Sequence, residues 1–270
     1  MVPWCREEGV AQVRVFSLVL VLFALVGCRT MHPAQVHRCQ AESIGSVPRM
    51  VFVPDVPNMR DIGGWRTTNG RQVKQGLIYR SAAFDRKQKW FDFGNRPHVS
   101  DETVDFLVNE VGLKTDIDLR SVRETKGMEG SPLGPSVRWL NIPALAYGTI
   151  NTPEGRASFA KIFRVLLDRN NYPVVMHCQF GRDRAGTVAY LVNGLLGVPV
   201  DSLDYDWELS QAWYSSRRYS KERCLAALVA ALQGYPGETF ARKVRAYVIS
   251  LGFSEAEVDR FVDFMTQSSV

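Results

Sequence analysis

The chain has 270 residues, of which 46% are hydrophobic and 23% charged, and its formal net charge is +5 at pH 7. It can bury one sizeable core, and the lack of internal repeats or low-complexity tracts excludes repeat arrays and disordered proteins. The mild positive charge suits phosphate esters or anionic lipids as partners, although such an excess is often only a solvated surface.

The first residues differ in character from the rest of the chain. An apolar run, VFSLVLVLFALVGC, follows Arg14 and ends at Cys28. It is too short to span a bilayer comfortably, but its length suits the core of a signal peptide. A buried helix or an ordinary membrane anchor is the alternative. We therefore expect residues 1–28 to form a signal peptide.

The end of this run, LVGC at residues 25–28, resembles the lipobox of bacterial lipoproteins, in which the cysteine is acylated and becomes the new N-terminus. The resemblance implies lipidation at Cys28. It also implies an exported protein that is lipid-anchored in the bacterial cell envelope, facing the periplasm or the cell surface, where disulfides are favoured. Residues 29–48 lack periodicity and are predicted to be a tether to a domain at 49–270.

The cysteines give a further indication. Cys5 would leave with the signal peptide, and acylation would consume Cys28. Cys39, Cys178 and Cys224 then remain as an odd set, which argues against a disulfide-stapled scaffold. At least one thiol is expected to be free.

From residue 49 onward the hydrophobic pattern predicts strands alternating with helices. MVFV, GLIYR, KTDIDLR, VRWLNIP and YPVVMHC are predicted strands. HVSDETVDFLVNEVG is a predicted helix with Ser100 as N-cap and Gly112 at its end, and a second helix covers ASFAKIFRVLLDRN. Two more helices are predicted in residues 238–265, with Ser254 as an N-cap. The alternation implies an α/β fold with a parallel-type central sheet flanked by helices and a ligand crevice at the strand C-termini.

One stretch, VVMHCQFGRDRAG at residues 174–186, places chemistry at such a strand end. Cys178 ends a predicted strand, Arg184 begins a predicted helix, and Gly181 permits a tight turn between them. The loop amides, the helix dipole and Arg184 would together form an anion cradle. The positive electrostatic potential of these groups would also lower the pKa of a cysteine into a range of roughly 3.5–7.5. The pattern predicts that Cys178 is a nucleophile.

Simpler interpretations explain less of this stretch. Inert packing would account for Cys178 alone, and a core histidine would account for His177 alone, but neither explains an arginine at this spacing. A zinc site is disfavoured because no second cysteine or histidine lies at ligand spacing. We expect neither a metal nor an organic cofactor.

The order His-Cys, five residues, Arg resembles the signature loop of the cysteine-based protein tyrosine phosphatases. The likeness is greatest to the bacterial tyrosine and dual-specificity branch with an HCxxGxDR loop, some members of which act on phosphoinositides. Four more segments resemble that branch: NMRDIGGW (58–65), LIYRSAAF (77–84), DIDLRSVRE (116–124) and GVPVDSLDYDWELS (197–210). The resemblance implies a tyrosine-phosphatase-like fold and a cysteine-dependent phosphatase that hydrolyses phosphate monoesters through a phosphocysteine.

The resemblance also implies roles for individual residues. Cys178 would attack phosphorus, Arg184 would bind the phosphoryl oxygens, and Asp183 would serve as general acid and then activate water. Asp118 is the alternative acid, and Arg120 would either orient the loop arginine or form an ordinary ion pair. His177 would hold the loop and help to keep the pKa of the thiol low. The residues expected around the phosphate are His177, Gln179, Phe180, Gly181, Arg182, Ala185 and Gly186.

Two loop residues depart from the pattern of the branch. Arg182 stands where lysine is usual, and its forked guanidinium would suit a second phosphate on a polyanionic substrate. Ala185 replaces the usual serine or threonine, whose hydroxyl would stabilise the departing thiolate, so breakdown of the phosphoenzyme is expected to slow by about one to two orders of magnitude.

The substrate class stays open at this stage. Phosphotyrosine, phosphoserine or phosphothreonine of a phosphorylated protein and phosphoinositides are all compatible with the loop, and so is a soluble inositol phosphate. An inositol-polyphosphate phosphatase and a weakly active phosphate-binding module remain as alternatives. Residues 213–223 interleave aromatic and basic side chains as a lipid-facing patch or a helix face would, and no nucleic-acid partner is expected.

Overall fold

The computed structural model describes residues 51, 53, 55–84, 99–213 and 221–268. The predicted signal peptide at 1–28, with Cys28, and the tether at 29–48 lie outside these residues. In the described part of the chain, no helix combines the length and the apolar composition needed to cross a membrane.

Five strands of the described residues form the central sheet, in the order β1, β3, β6, β4, β5. β1 pairs antiparallel with β3, and the remaining pairs are parallel. β2 and β7 form a separate antiparallel pair. The strands are β1 (Arg60–Asp61), β2 (Arg71–Val73), β3 (Ile78–Ala82), β4 (Thr115–Asp118), β5 (Arg138–Asn141), β6 (Val174–Cys178) and β7 (Thr266–Ser268).

Helices cover the sheet. In the described residues they are α1 (Asp101–Asp105), α2 (Pro153–Leu167), α3 (Arg184–Leu195), α4 (Val200–Leu209), α5 (Lys221–Leu232), α6 (Phe240–Ser250) and α7 (Glu255–Met265). A π-helical turn, Phe106–Glu110, continues α1. Short 3-10 segments lie at Tyr147–Asn151, Arg169–Asn171 and Ser210–Ala212.

The central strand β6 separates two hydrophobic cores. Val174 and Met176 belong to the larger core together with Phe163 of α2, whereas Val175 belongs to the smaller core with Phe106. Successive side chains of a strand point to opposite faces, so β6 is buried on both sides. This burial positions the carboxyl end of β6, and with it Cys178, at the middle of the sheet edge.

The α/β fold with a mostly parallel central sheet confirms the expectation from the sequence. Of the strand predicted in MVFV at 50–53, only Val51 and Val53 are described, and Val53 forms an isolated bridge with Val56. In the segment of interleaved aromatic and basic residues at 213–223, Trp213 is 37% exposed, and residues 214–220 lie outside the described residues.

Both predicted N-caps are confirmed. At the start of α1, the Ser100 side chain accepts a hydrogen bond from the backbone N–H of Thr103. At the start of α7, Ser254 and Glu257 form a capping box, in which each side chain accepts from the backbone N–H of the other residue. Two otherwise unpaired N–H groups are satisfied in this way.

Replacing Ser254 by alanine is expected to lower the free energy of unfolding by about 1 kcal/mol, because the N–H of Glu257 loses its acceptor. Urea unfolding followed by circular dichroism measures this change. Ser268→Ala, at an exposed residue of β7, is the control and should shift the free energy by less than about 0.5 kcal/mol. Equal losses in the two variants would contradict the role of the cap.

Candidate active site

The predicted nucleophile lies at the carboxyl end of the central strand. Cys178 is 2% exposed and carries a free thiol, as does Cys224. Residues 179–183 form the loop that connects β6 to α3, which starts at Arg184. Within the described residues, no group of three or more histidine, cysteine, aspartate or glutamate side chains is arranged to hold a metal ion.

Gly181 allows the loop to pack closely against β3. Its φ is +67°, in the left-handed region. A Cβ added there would lie 2.4 Å from the carbonyl oxygen of Ser81 and 2.8 Å from the amide nitrogen of Ala82. The backbone conformation and the lack of space both exclude a side chain.

Three successive carbonyl groups of the loop are held from behind by buried side chains. Asn58 Nδ2 donates to Phe180 O at 2.9 Å. Arg80 Nη2 donates to Gly181 O at 2.6 Å and to Arg182 O at 3.1 Å. The C=O and N–H of a trans peptide point in opposite directions, so the following amide groups point toward the interior of the loop. Inward-pointing amides are what binds an anion.

Asp206 fixes two buried arginines behind this loop. Its Oδ1 accepts from Arg60 Nε at 2.9 Å and its Oδ2 from Arg80 Nη1 at 2.6 Å. Burial raises the pKa of Asp206, but the two guanidinium groups outweigh burial and lower it. Burial and the neighbouring Arg60 lower the pKa of Arg80 to about 10, so that Arg80 is still protonated at neutral pH. Two cations and one carboxylate leave a net positive charge behind the loop.

The buried arginines have further partners on α4 and on the segment before β1. Arg60 Nη2 donates to Asp206 O at 2.7 Å and to Ser210 Oγ at 3.1 Å, and Asn58 Nδ2 donates to the same Ser210 hydroxyl at 3.2 Å. Gly186 leaves room for Arg80, because an added Cβ would lie 2.7 Å from its Nη2. Three of the segments that carry the sequence resemblance therefore meet behind the loop.

Glu124 holds the loop arginine at the mouth of the site. Arg184 Nη1 and Nη2 donate to its two carboxylate oxygens at 2.7 and 2.8 Å, in the forked geometry of a strong charge-assisted pair. Burial lowers the pKa of Arg184, but Glu124 and Cys178 raise it, and the net shift is upward. The guanidinium still has N–H groups available for a phosphoryl group.

The same ion pair determines the charge of Glu124. Hydrogen bonds from Arg184 lower the pKa of Glu124 to about 2, against the opposing effect of burial. Because the folded-state pKa is depressed, the stabilisation is complete above the ordinary glutamate pKa of 4.5 and is lost as the pH falls through about 2. Arg184 is thus held in place throughout the neutral range.

Asp183, the predicted acid, is half-buried at the start of α3. Its Oδ1 accepts a hydrogen bond from the Tyr147 hydroxyl at 2.5 Å and one from Arg182 Nε at 3.3 Å. Trp207 Nε1 in turn donates to the Tyr147 oxygen at 3.2 Å. Burial, and then the neighbouring Asp183, raise the pKa of Tyr147, which therefore stays protonated and serves as the donor. The Asp183 carboxylate is thereby oriented.

Asp118, the alternative acid, has no exposed surface. It accepts from Arg120 Nη2 at 2.8 Å, from Arg120 Nε at 3.0 Å and from the Arg120 backbone N–H at 3.0 Å. Burial raises its pKa, but His177 and Arg120 outweigh burial and lower it. Asp183 is therefore the more accessible of the two predicted acids.

His177 lies beside two carboxylates on the opposite face of β6 from Cys178. Its Nε2 is 2.9 Å from Asp116 Oδ1, and its Nδ1 is 3.9 Å from Asp118 Oδ1. Burial lowers its pKa, but the neighbouring carboxylates raise it, and the net shift is upward. The His177 side chain is therefore held on the other face of the strand that carries Cys178, and its role in holding the loop and keeping the pKa of the thiol low stays a prediction.

The two departures from the family pattern are both buried. Arg182 is 4% exposed and pairs with Asp183, so its guanidinium is not presented to a second phosphate in solution. Ala185 has no exposed surface and packs in the larger core. The remaining predicted contacts, Gln179 and Phe180, are half-buried in the loop.

A groove of about 590 Å³ opens beside the loop. The chain from Pro143 to Tyr147 lines it, and so do Asp183 and Arg184 at the end of the loop. Its remaining lining residues are Ser121, Glu154 and Ser158. The groove is therefore placed to receive whatever is attached to a phosphoryl group held by Arg184.

Sequence reasoning missed Glu124, Asp206 and Tyr147 as individual site residues. Glu124 and Asp206 lie within segments 116–124 and 197–210, whose resemblance to the family could have drawn attention to them. Tyr147 has no such signal, although its φ of +57° marks it as unusual for a residue with a side chain.

Comparisons with known proteins agree with this geometry. A sequence profile described as the tyrosine phosphatase family matches residues 51–266. A curated protein of Cupriavidus necator, named as a tyrosine-protein phosphatase, is 27% identical over 201 residues, which cover 66% of this chain and 68% of that protein.

Two solved structures are also similar to the chain. Pseudomonas aeruginosa TpbA in complex with pTyr is 15% identical, and the alignment covers 68% of this chain and 91% of the TpbA chain, with a TM-score of 0.40. The core catalytic domain of the PP-IP phosphatase Siw14 from Saccharomyces cerevisiae is 17% identical. The alignment covers 54% of this chain and 77% of the Siw14 chain, with a TM-score of 0.36.

Arg80→Lys is expected to lower kcat/KM for an aryl phosphate by at least about tenfold, because the compact ammonium group lacks the planar fork with which Arg80 reaches Asp206 and the two loop carbonyls at once. Steady-state kinetics measure the effect, and circular dichroism checks the fold. Arg245→Lys, in a surface ion pair with Asp259, is the matched control and should leave kcat/KM unchanged. A folded Arg80→Lys variant with wild-type kcat/KM would refute the role of Arg80 in holding the loop carbonyls.

Proposed function

The chain belongs to the tyrosine phosphatase family and is a cysteine-based phosphatase, and we propose that it hydrolyses aryl phosphate monoesters, foremost phosphotyrosine. One observation carries the proposal: Cys178 and Arg184 bracket a loop whose carbonyls are drawn back by Asn58 and Arg80. The loop is preorganised to bind a phosphoryl group in front of a thiol.

In the first step, the Cys178 thiolate attacks phosphorus, and an S–P bond forms as the P–O bond to the leaving group breaks. Loop amides and Arg184 bind the equatorial oxygens, where negative charge is spread in the transition state. Asp183 donates its proton to the departing oxygen. Tyr147 hydrogen-bonds Asp183 Oδ1, so the proton would be carried by Oδ2, which accepts only a long 3.5 Å hydrogen bond from Arg182 Nη2 among the described residues.

In the second step, the Asp183 carboxylate accepts a proton from water as the water oxygen attacks phosphorus. The S–P bond breaks, inorganic phosphate is released, and Cys178 returns to the thiolate. Ala185 has no hydroxyl to donate to this thiolate, so we propose that the second step limits turnover.

The groove supports an aryl leaving group over a polyphosphorylated one. Its longer side, residues 143–147, is largely apolar, and Leu145 on that side is 39% exposed. Among the described lining residues, Arg184 is the only cation, and it is already paired with Glu124. An inositol polyphosphate would need further cations to bind its other phosphates.

Two substitutions test the mechanism. Cys178→Ser is expected to abolish hydrolysis, because a hydroxyl does not replace the thiolate as nucleophile. Asp183→Asn is expected to lower kcat/KM for phenyl phosphate by about 10²–10⁴-fold but to change it little for dinitrophenyl phosphate, whose leaving group needs no proton. Kinetics with a series of aryl phosphates measure this dependence.

Asp118→Asn is the matched control for the acid assignment and should slow all aryl phosphates by a similar factor. If Asp118→Asn instead shows the dependence on the leaving group, and Asp183→Asn does not, Asp118 is the acid. Hydrolysis at the wild-type rate in Cys178→Ser would remove the thiol mechanism.

We also propose that the mature protein is exported and lipid-anchored through Cys28 in the bacterial cell envelope. The apolar run before Cys28 and its LVGC end support this proposal. An acyl chain embedded in the bilayer would leave the phosphatase domain outside the cytoplasm, joined to the anchor by residues 29–48.

Cys28→Ala is expected to abolish incorporation of labelled fatty acid and to move the protein from the lipidated membrane pool to a precursor or soluble pool. Metabolic labelling and cell fractionation measure both effects, with Cys39→Ala as the matched control. Wild-type protein that carries no label would refute lipidation at Cys28 and would leave the phosphatase proposal intact.

A further inference from the structure

The groove beside the catalytic loop has lining residues that the phosphoryl chemistry does not use. Asp183 and Arg184 line this groove, and so does the largely apolar stretch from Pro143 to Tyr147. Glu154 and Ser158, on the first two turns of α2, also line it, and Ser158 Oγ donates to the carbonyl oxygen of Pro143 at 2.7 Å. A substrate whose phosphoryl group lies in the loop would place the groups around its leaving oxygen against these surfaces.

Most charges in this groove are already compensated. Arg184 is paired with Glu124, and Asp183 is paired with Arg182. Glu154 is exposed, and among the described residues it has neither an ion-pair nor a hydrogen-bond partner. The uncompensated charge that the groove offers to a substrate is therefore one carboxylate.

An ordinary explanation for Glu154 also exists. It lies in the first turn of α2, after the Thr152 N-cap, where an acidic side chain interacts favourably with the helix dipole. This interaction would stabilise the helix but would have no effect on the choice of substrate. The two explanations therefore differ in what they predict for selectivity.

We infer that Glu154 is a specificity-determining residue that selects phosphotyrosyl peptides carrying lysine or arginine beside the phosphotyrosine and disfavours substrates with a second anionic group. The inference rests on the proposed function, because it needs the leaving group to lie in the groove. The apolar side of the groove, with Leu145, would contact the aryl ring, and Glu154 would attract the neighbouring cation. A second phosphate would meet the same carboxylate and be repelled.

The expected effect is modest because Glu154 is exposed to solvent. An exposed ion pair corresponds to about a two- to fivefold preference, and salt screens it. A lysine peptide should therefore have a kcat/KM about two- to fivefold above that of an alanine peptide, with a glutamate peptide below both. The spread should shrink as the ionic strength rises.

The experiment measures kcat/KM for phosphotyrosyl peptides of equal length that carry lysine, alanine or glutamate at each of the positions flanking the phosphotyrosine. It uses wild type, Glu154→Gln and Glu154→Lys. Glu238→Gln, an exposed acid just before α6 and outside the groove, is the matched control. Ratios between peptides within one preparation do not depend on the folded fraction, so a loss of stability cannot mimic a change in selectivity.

The inference predicts that Glu154→Gln abolishes the charge preference, that Glu154→Lys reverses it, and that Glu238→Gln retains it. Equal kcat/KM for all wild-type peptides would overturn the inference, as would a wild-type preference that persists in Glu154→Gln. Failure of the proposed function would look different, since the wild type would then release no phosphate from any of the peptides.

Discussion

The ion pairs of Asp206 with Arg60 and Arg80 are the interaction on which the rest of the site depends. Without this carboxylate two guanidinium groups would lie buried side by side, and breaking a buried pair in this way costs about 3–5 kcal/mol. With it, Arg80 is directed at the carbonyls of Gly181 and Arg182. The loop therefore owes its inward-pointing amides to residues that never contact the substrate.

The charged residues around the Arg60–Asp206–Arg80 cluster form two functional groups. Behind the loop the buried cluster of two arginines and one aspartate has a net positive charge at neutral pH. At the mouth, Glu124 holds Arg184 in position for the phosphoryl oxygens. Tyr147 and Trp207 orient Asp183 on the groove side. Because these groups are fixed before a substrate arrives, little reorganisation is needed when charge develops in the transition state.

The sequence predicts those parts of the molecule that depend on neighbouring residues. The strand YPVVMHC, the turn at Gly181, the helix from Arg184 and the cap at Ser254 are all local patterns, and each is present. The ion pairs Arg80–Asp206 and Arg184–Glu124 could not be predicted in the same way, since their partners are 126 and 60 positions apart in the sequence. Packing also determines where the Arg182 side chain lies. It is buried against Asp183, although its charge suggested that it would bind a second phosphate of the substrate.

The measurement that tests the central claim most directly is the trapping of the phosphoenzyme. The protein is mixed with a radiolabelled aryl phosphate, denatured within the first turnover, digested and mapped. The account predicts stoichiometric label on the peptide that contains Cys178, and loss of that label when the reaction is chased with unlabelled substrate before denaturation. Phosphate release without labelled protein, or label on a residue other than Cys178, would contradict it.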